Sequence, residues 1–400
     1  MLVENLPSPF DRRVWQEACT LRDAGYGVSI VCPTGKGCEK RFEAIEGIRI
    51  YRYPLPLEAS GALGYALEYG LALAWTFALA WRVLLTSGFD VIHACNPPDL
   101  FFLVGRFFKL FGKKFVFDHH DLNPELYEAK FGRRDLLYRL LMNLERSTFR
   151  CTDVSIATNE SYRRIAVDRG GMTPERVFVV RSGPSLERLT ILPPDARLKR
   201  GRRYLVGYVG VMGRQEGIDY LLRAARHIVV GLGRSDVHFG LVGGGTSLQE
   251  MKALAKELGI AEHVTFTGRV PDSQMLAMLN TADVCVNPDV ANELNDKSTM
   301  NKIMEYMALG KPIVQFDLAE GRFSAREASL YARRNDAVDL AARIVELLGD
   351  PSRRSKMGSY GRRRVESELE WRHEAPKLLA AYAALWNPAV VPSAARSFET

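Results

Sequence analysis

The chain has 400 residues, of which 47% are hydrophobic and 25% are charged. Lys and Arg number 54 against 47 Asp and Glu, so the formal net charge is +7. This composition excludes a disordered chain, collagen, a small secreted scaffold and a polytopic membrane protein. The length predicts two to three domains. The mildly positive charge suits an anionic small molecule or an anionic membrane surface rather than nucleic acid.

The six cysteines are scattered and include no Cys-x-x-Cys pair. This spacing supports neither a zinc site nor a disulfide framework, so we expect reduced thiols in a cytoplasmic protein. No signal peptide is visible after Met1. Only residues 1–3 precede a loop at 4–10, so we expect the first strand to be trimmed, or the start to lie a few codons late.

The first half of the chain alternates short β-rich runs with helical stretches long enough to be crossovers. Several runs are almost continuously apolar, as in strands that are buried on both faces. We therefore predict a parallel βαβ sheet. Its strands are expected at residues 26–32, 48–53, 90–94, 115–118, 153–157 and 176–181.

The segment 5–15 (NLPSPFDRRVW) joins the first strand to a helix. Asp11 is placed to cap that helix, and Arg12 and Arg13 lie in its first turn. Cations at this end oppose the helix dipole, so an anionic partner would explain the two arginines. The alternative is that Arg12 and Arg13 are ordinary surface residues. We take Asn5, Arg12 and Arg13 as candidates for binding an acceptor phosphate.

Two apolar segments follow in the first half. Residues 62–85 are interrupted by Glu68 and Arg82, and the clean run 69–81 has 13 residues. This is short of the ~20 residues that span a bilayer, so we predict a buried or interfacial helix. Residues 100–114 interleave aromatic and basic side chains, which fits either a sheet-covering core helix or peripheral contact with an anionic membrane.

Four consecutive residues with metal-ligand chemistry, Asp118-His119-His120-Asp121, follow a predicted strand. Four neighbours in sequence rarely converge on one ion, so a metal site is the weaker interpretation. A histidine with a purely structural role is the other alternative, and it fits His119 better than His120.

Residues 182–203 contain three prolines, no clear periodicity and a basic run at 197–203. We predict that they form an interdomain linker. The alternation then restarts, and the tail from 337 to about 386 is predicted to form two or three helices. Strands of this second half are expected at residues 204–209, 237–242, 263–266, 284–287, 312–316 and 329–332.

The fold class predicted from this pattern is α/β, with two consecutive doubly wound domains. We place the first domain at 1–185, the linker at 186–203 and the second domain at 204–365. Residues 366–400 are expected to form a helix and a tail that packs back toward the first domain. A ligand is expected in a cleft between two such domains, at the carboxyl ends of their strands.

The densest cluster of polar and charged residues is the segment 295–312 (NDKSTMNKIMEYMALGKP). Ser298 or Thr299 is placed to cap a helix that runs to Leu309, with Gly310 as its stop. The free N–H groups of a helix N-terminus can hold a phosphate. An ordinary capped helix with a solvated face would show the same pattern.

Three charged side chains in this cluster suit a nucleotide. Lys297 and Lys302 add positive charge on the side where a phosphate would lie. Glu305 lies further along the helix, where its carboxylate can accept hydrogen bonds from a ribose diol.

This segment resembles the donor-binding element of the retaining glycosyltransferases of family 4, which have the two-domain GT-B fold. That family carries two glutamates separated by seven residues. The second corresponds to Glu305 here, and Lys297 occupies the first position. The pattern resembles a bacterial branch linked to surface polysaccharide assembly. Other segments similar to the family's donor domain follow in the right order, at residues 207–222, 241–245, 264–270 and 282–288.

The phosphate loop departs from the family pattern at two positions. The family has an Arg after the first Gly and a Lys before the second, and here these positions hold Val211 and Glu216, with Arg214 between them. We infer that the positive charge has moved, so that Lys297, Lys302 and Arg214 stabilise the leaving diphosphate.

The resemblance also implies which residues act. The histidine of the family's His-Asp loop, which approaches the donor sugar, corresponds to His120, so His120 and Lys297 are the catalytic candidates. No Asp-x-Asp motif occurs in the chain, and we expect neither a metal nor another cofactor. The donor-binding candidates are Gly210, Arg214, Gly243, Gly244, Arg269, Val270, Lys297, Ser298, Thr299, Met300, Asn301, Lys302 and Glu305.

The implied function is transfer of a hexosyl or N-acetylhexosaminyl group from a nucleotide-diphosphate sugar, with UDP preferred, to a bacterial glycan or a lipid-linked acceptor. The second domain would bind the donor and the first the acceptor. We expect a cytoplasmic protein, with or without peripheral attachment to the inner face of the membrane. The alternatives are a nucleotide-sugar epimerase on the same architecture and a catalytically silent nucleotide-sugar-binding partner.

Overall fold

The computed structural model describes residues 1–55, 61–387 and 389–390, without the side chains of residues 61–63, 65 and 66. Residues 391–400, which include the predicted tail, lie outside the described residues. The chain forms two compact units. The first comprises Met1–Ser182 with Glu374–Thr400, and the second comprises Gly183–His373.

The predicted linker, 186–203, is part of the second unit and is not a free connection. Leu189 is completely buried in that unit. The backbone N–H of Leu192 donates to Asn280, and that of Asp195 donates to Thr281. The prediction of a linker here is corrected, because these contacts satisfy the backbone of a segment whose prolines prevent regular structure.

The described part of the first unit contains seven strands. Their bounds are β1 Ser29–Pro33, β2 Phe42–Ile45, β3 Ile48–Tyr53, β4 Val91–Cys95, β5 Lys114–His119, β6 Val154–Ala157 and β7 Val177–Val179. Strands β4 to β7 are parallel neighbours in chain order, and β1 pairs with β3 in parallel.

The prediction of an entirely parallel sheet is wrong at β2, which pairs antiparallel with β3. The two strands are joined by Glu46 and Gly47, which have φ values of 50° and 82°. Two consecutive residues with positive φ form the tight turn whose twist matches a β-hairpin.

The start of the chain contributes one residue to the first sheet. Leu2 bridges in parallel to both Val31 and Ala94, and so lies between β1 and β4. Its N–H donates to the carbonyl of His93, and its carbonyl accepts from the N–H of Cys95. The expected short first strand is therefore present as a single bridging residue.

The second unit contains one sheet of six parallel strands in the order β10-β9-β8-β11-β12-β13. The predicted doubly wound topology is confirmed here, with the order reversing between β8 and β11. The bounds are β8 Tyr204–Val209, β9 Val237–Val242, β10 Val264–Gly268, β11 Val284–Asn287, β12 Ile313–Phe316 and β13 Ser329–Ala332.

Helices cover both faces of this second sheet. In β8, Val206 packs into one hydrophobic cluster with Leu222, while its neighbour Leu205 packs into the opposite cluster with Leu279. Successive side chains point to opposite faces, so burial of both makes the strand an unbroken apolar run.

The helices of the first unit are α1 Arg12–Asp23, α2 Gly61–Ser87, α3 Phe102–Lys109, α4 Asn123–Phe131, α5 Leu136–Cys151 and α6 Glu160–Arg164. Those of the second unit are α7 Ile218–Arg226, α8 Leu248–Glu257, α9 Asp272–Thr281, α10 Glu293–Lys297, α11 Asn301–Ala308, α12 Ala319–Ala325, α13 Ala337–Gly349 and α14 Pro351–Arg364. Helix α15, Trp371–Ala384, begins in the second unit and continues in the first. Three helices after residue 337 agree with the predicted two or three.

Helix α2 is longer than its clean apolar run suggests. Its window Leu67–Ser87 is long and apolar enough to cross a membrane by length and composition, and 22% of that window is buried within the structure. We predicted an apolar run too short to span a bilayer. By length and composition the window Leu67–Ser87 is long enough, because Glu68 and Arg82 are only isolated charges in it. The buried stripe of the helix consists of Ala72, Thr76, Ala80 and Val83.

Helix α3 uses most of its aromatic and basic side chains internally. Phe107 and Phe108 pack against Phe77 of α2. Lys109 pairs with Asp153 at 3.0 Å. These contacts favour the sheet-covering alternative for α3, whereas Leu110 and Phe111, just after the helix, are 81% and 52% exposed. Contact of this segment with a membrane stays a prediction.

Candidate functional site

The glycine turns at the carboxyl edge of the second sheet lie against one another. Gly210 follows β8, Gly243 follows β9 and Gly268 ends β10. The N–H of Gly243 donates to the carbonyl of Gly268 at 3.0 Å. Gly243 has φ +133°, and a Cβ there would lie 1.8 Å from the carbonyl oxygen of Gly210. Only glycine permits this approach, which leaves an edge lined by backbone.

Helix α11 begins differently from the prediction. Its N-cap is Met300, without a side-chain hydrogen bond, so the expected capping by Ser298 or Thr299 is wrong. The hydroxyl of Ser298 instead donates to the carbonyl of Leu294 at 2.7 Å and closes the short preceding helix α10. Gly310, with φ +65°, follows the last turn of α11, as predicted.

Lys302 carries positive charge to the glycine turn after β8. Its Nζ lies 2.7 Å from Oδ1 of Asp289 and 5.3 Å from the centre of the Tyr208 ring. Its Cε lies 3.3 Å from the position of a Cβ at Gly210. Asp289 is 1% exposed, and its Oδ2 has no hydrogen-bond partner among the described residues. Burial raises the pKa of Asp289, and Lys302 opposes that shift.

Glu216, at the position of the family's lysine, is used by its own turn. Its Oε2 accepts from the N–H of Gly213 at 3.0 Å. Burial raises its pKa, while the charge of Lys302 lowers it. The positive charge in this area comes from Lys302 of α11, with Arg214 as the basic residue of the phosphate loop.

Lys297 lies in a more open setting than Lys302. It ends α10 and pairs with Glu293 one turn earlier, at 3.1 Å. The side chain of Glu293 is 66% exposed, so water screens this pair.

Glu305 pairs with a residue that the sequence did not single out. Arg188 binds Glu305 through Nη2 and Asp272 through Nη1, the latter at 3.1 Å. Arg188 lies in the segment predicted to be a linker, where no local pattern distinguishes it from the other basic residues.

The remaining donor-binding candidates lie at the surface or partly buried in the second unit. Arg214, Arg269 and Asn301 are exposed, whereas Gly244, Val270, Thr299 and Met300 are partly buried. The carbonyl of Gly244 accepts from the N–H of Met212 at 3.0 Å.

The two neighbouring histidines at the end of β5 lie in different environments. His119 is completely buried against Phe117, Phe149 and Tyr162. Burial lowers its pKa to about 3, so it is neutral. The side chain of His120 is 15% exposed, and its Nε2 lies 2.5 Å from Oδ2 of Asp118.

Arg13, an acceptor-binding candidate, is 8% exposed, and its guanidinium contacts several groups inside the first unit. Nε donates to Oδ2 of Asp118 at 3.4 Å and lies 2.9 Å from Nε2 of His120, and one Nη donates to Val180 and to Ser182. The other Nη lies 2.9 Å from Asp118 and 3.0 Å from Glu17. Asn5 and Arg12 are exposed.

The carboxylates beside Arg13 are held in different ionisation states. Burial alone would raise the pKa of Asp118, but Arg13 and His120 outweigh it and hold that pKa well below its usual range. Burial, followed by the charge of Asp118, raises the pKa of Glu17 well above its usual range. His93 links Asp118, at 3.4 Å, to the hydroxyl of Tyr382, at 2.8 Å. Arg13 therefore stabilises the charged form of Asp118, while the pKa of Glu17 is shifted in the opposite direction.

This cluster also bears on the metal alternative. Potential ligand atoms of Glu17, Cys95, Asp118 and His120 lie within 4.8 Å of one another, while His119 is not in the group. Arg13 already places a cation against Asp118 and His120, and burial keeps the pKa of the Cys95 thiol well above its usual value. These residues fit a metal ion poorly, since a second cation would face the guanidinium.

Comparison with known proteins assigns each of the two units to a glycosyltransferase domain. Residues 203–350 match the family described as glycosyl transferases group 1, and residues 11–183 match the glycosyl transferase 4-like domain. The chain belongs to the glycosyltransferases of family 4. The sequence resemblance is thereby confirmed at the level of the family.

Solved structures show the same fold. A sucrose-phosphate synthase from Thermosynechococcus elongatus aligns with a TM-score of 0.76 and 21% identity, over 96% of this chain and 94% of its own. The Anabaena protein Alr3699/HepE in complex with UDP and glucose aligns with a TM-score of 0.73 and 17% identity, over 96% of this chain and 98% of its own. The predicted GT-B fold class is confirmed.

One curated relative is the GDP-mannose-dependent alpha-(1-6)-phosphatidylinositol monomannoside mannosyltransferase of Mycolicibacterium smegmatis. It is 30% identical over 199 residues, which cover 46% of this chain. The chain spans about half the length of this relative, 50%.

The departures from the family pattern that the resemblance implies, at Val211, Glu216 and Lys297, stay predictions. The structure adds two residues that sequence reasoning missed, Asp289 and Arg188. Asp289 follows the end of buried strand β11 by two residues, and this position at the carboxyl edge was a signal that could have found it.

Proposed function

We propose that this protein is a retaining glycosyltransferase that moves a sugar from a nucleoside-diphosphate donor, with UDP preferred, to a bacterial glycan or a lipid-linked acceptor. The observation that carries the proposal is the position of Lys302. Its ammonium group lies beside the Gly210 turn, where the strand order of the second sheet reverses between β8 and β11. In open α/β sheets this is the place where nucleotides bind.

The donor is held mainly by fixed charge and backbone. Lys302 and the N–H groups at residues 299–301 stabilise the diphosphate, with Lys297 and Arg214 at the edge of the site. The N–H of Ser298 donates to the carbonyl of Asn295 at 3.3 Å, so Ser298 lines the site without this donor. Positive groups held in place in this way stabilise charge as it develops on the leaving phosphate. Glu305 accepts hydrogen bonds from the ribose, and Arg188 holds its carboxylate in position. Gly243, Gly244, Arg269 and Val270 contribute the rim on which the nucleotide lies.

His120 contacts the sugar in this proposal. Its imidazole is held by Asp118, and Asp118 is in turn fixed by Arg13. Retention follows from departure of the diphosphate and entry of the acceptor on the same face of the sugar, assisted by the leaving phosphate. The reaction as proposed requires no metal, since the lysines and helix N–H groups supply the positive charge.

The base and the sugar of the donor are left open by the relatives. The Anabaena structure contains UDP and glucose, whereas the mycobacterial enzyme is named as dependent on GDP-mannose. A lipid-linked acceptor would make peripheral contact with the cytoplasmic face of a membrane useful, and we include that contact in the proposal.

Thermal unfolding with UDP, GDP, ADP and dTDP, each with and without EDTA, tests the proposal. A ligand at 100 times its dissociation constant stabilises the folded state by about 2.7 kcal/mol, which shifts the midpoint measurably. We expect a shift with UDP that EDTA does not remove. A shift with GDP alone would overturn the UDP preference, and no shift with any of the four would overturn the donor site.

Turnover separates the alternatives once a nucleotide is known. Incubation with the matching nucleotide sugar should release nucleoside diphosphate when an acceptor is present. Binding without turnover would identify a silent binding partner, and conversion to an isomeric nucleotide sugar would identify an epimerase.

A further inference from the structure

The turn between α4 and α5 in the first unit is surrounded by exposed apolar side chains. Phe131 ends α4 and is 55% exposed, and Gly132, with φ +64°, reverses the chain. Leu136 and Leu140, on the first turns of α5, are 82% and 50% exposed. Large apolar side chains grouped in this way mark an interaction surface rather than ordinary scattered exposure.

The same face of α5 carries a row of arginines. Arg139, Arg146 and Arg150 follow Leu136 by 3, 10 and 14 residues, spacings that place them on one side of a helix. All three are exposed, and none forms an ion pair with a residue that the structure describes. The single acidic residue of α5 is Glu145, which is buried and paired with Arg169.

We define the elbow surface as Phe131, Leu136, Leu140, Arg139, Arg146 and Arg150. Two other arginines in the turn are not counted among its cations. Arg133 pairs with Asp135 and Arg134 pairs with Glu128, so their charges are already balanced.

We propose that the elbow surface docks on an anionic lipid bilayer. An interfacial helix typically carries leucine and phenylalanine next to basic residues. The elbow surface has this composition, with unpaired arginines and no exposed acidic residue on that face of α5. The apolar side chains would enter the acyl boundary while the arginines contact lipid phosphates. A protein partner would need an apolar patch next to an acidic one, whereas a bilayer with anionic headgroups offers both everywhere on its surface.

The elbow surface lies close in sequence to His120, the residue proposed to contact the sugar. Helix α4 starts at Asn123, three residues after His120, so the two helices that form the elbow follow the His120 loop directly. A bilayer held there would present a lipid-linked acceptor on the same side of the chain. The docking rests on the proposed function, which includes contact with a membrane, and specifies the surface that makes this contact.

Vesicle sedimentation tests the inference, with full-length protein, vesicles of phosphatidylglycerol and phosphatidylcholine, and vesicles of phosphatidylcholine alone. We expect binding to the anionic vesicles that weakens with salt. The pair R139Q/R146Q should weaken it by about fivefold per arginine, and L136S/L140S should reduce it at low and high salt alike. The matched control is L85S/L110S, two leucines on α2 and after α3 that are 79% and 81% exposed.

Each other outcome overturns the inference. Absence of binding to anionic vesicles refutes it, and so does loss in L85S/L110S with the elbow variants unaffected, which would assign the contact to α2. A change of oligomeric mass in L136S/L140S without a change in vesicle binding would identify the elbow as a contact between copies of the chain. The nucleotide-dependent thermal shift is measured on the same variants. If the shift is absent in every protein, the proposed function fails independently of the vesicle result.

Discussion

At the scale of single residues, Lys302 and Lys297 differ in how firmly each is held. Lys302 is 12% exposed and pairs with a buried carboxylate, whereas Lys297 is 33% exposed and pairs with the exposed Glu293. A long flexible side chain loses less conformational freedom on binding when its position is already fixed. We therefore expect Lys302 to contribute more to diphosphate binding than Lys297.

Substitution of Lys302 by Gln should weaken binding of UDP or GDP, whichever the wild type prefers, by about ten- to a hundredfold, the range for loss of a charge-assisted contact. The matching monophosphate should lose less, because it lacks the second phosphate. Titration calorimetry with both ligands measures the two losses. Glu293→Gln, which removes the partner of Lys297, serves as the control and should change neither affinity by more than about twofold.

The substitution Asp289→Asn tests whether Asp289 holds the Lys302 ammonium in position or only lowers the positive charge of the site. Removal of a carboxylate makes the area more positive, which by charge alone would tighten diphosphate binding. If Asp289 positions Lys302, the affinity falls instead, because the ammonium loses its fixed partner. Tighter binding in Asp289→Asn would show that Asp289 only weakens the site.

The burial of His119 predicts a dependence of stability on pH. Its pKa is lowered to about 3 in the folded protein, against an unfolded value near 6.5. Below pH 6.5 the unfolded chain takes up a proton that the folded protein refuses, so stability is lost as the pH falls toward 3. His119→Phe removes this titration and keeps a ring against Phe117 and Phe149. From pH 6.5 to 4.5 the variant should gain roughly 2–3 kcal/mol relative to wild type.

Denaturant unfolding at several pH values, followed in both proteins, measures that gain. The constant part of the difference reports how well phenylalanine packs, and only the slope with pH reports the histidine. A difference that does not change between pH 6.5 and 4.5 would mean that His119 is protonated in the folded protein or that water reaches it.

At the scale of elements, helices and strands were predicted correctly where their own residues determine the structure, and less well where distant contacts decide it. All six strands of the second sheet were predicted, because burial on both faces makes each an apolar run. Strand β2 was missed because its residues alternate between exposed and partly buried positions at a sheet edge, which gives a weak signal. The start of α11 was mispredicted because Ser298 closes α10 instead, and both choices satisfy the same pattern of residues.

The site shows the same division between local and distant causes. Local motifs mark two segments of the candidate site, 207–222 and 295–312. Their assignment to the second unit could therefore be predicted from the sequence. Arg188–Glu305 and Lys302–Asp289 join residues that are far apart or in different elements, and charge alone offers many other partners for each. The burial of Arg13 was not predictable from its helix, since its partners come from β5 and the segment after β7.

The glycine turns predict a specific sensitivity of the carboxyl edge. In Gly243→Ala the new methyl group would meet the carbonyl oxygen of Gly210 at 1.8 Å, and the residue would retain a φ of +133°. We expect a loss of more than about 2 kcal/mol of stability in the second unit, together with loss of nucleotide binding. Gly349→Ala is the control, because nothing lies within 4 Å of a Cβ there. A stable Gly243→Ala protein would mean that the turns can separate without cost.

At the scale of the whole molecule, the two units have separate sheets and separate polar clusters, one around Lys302 and one around Asp118. The proposal assigns the nucleotide to the second unit, so its effect on local opening should be uneven along the chain. Hydrogen exchange, followed by mass spectrometry of peptides with and without UDP or GDP, measures that effect directly. We expect slower exchange at residues 207–216, 243–247 and 298–306, where the ligand would satisfy or cover backbone N–H groups. Peptides covering β6 in the first unit serve as the internal control and should exchange at the same rate in both samples. Slower exchange in the first unit, with unchanged exchange at residues 207–216, would mean that the nucleotide binds to the first unit. That result would refute the assignment of the donor to the second unit.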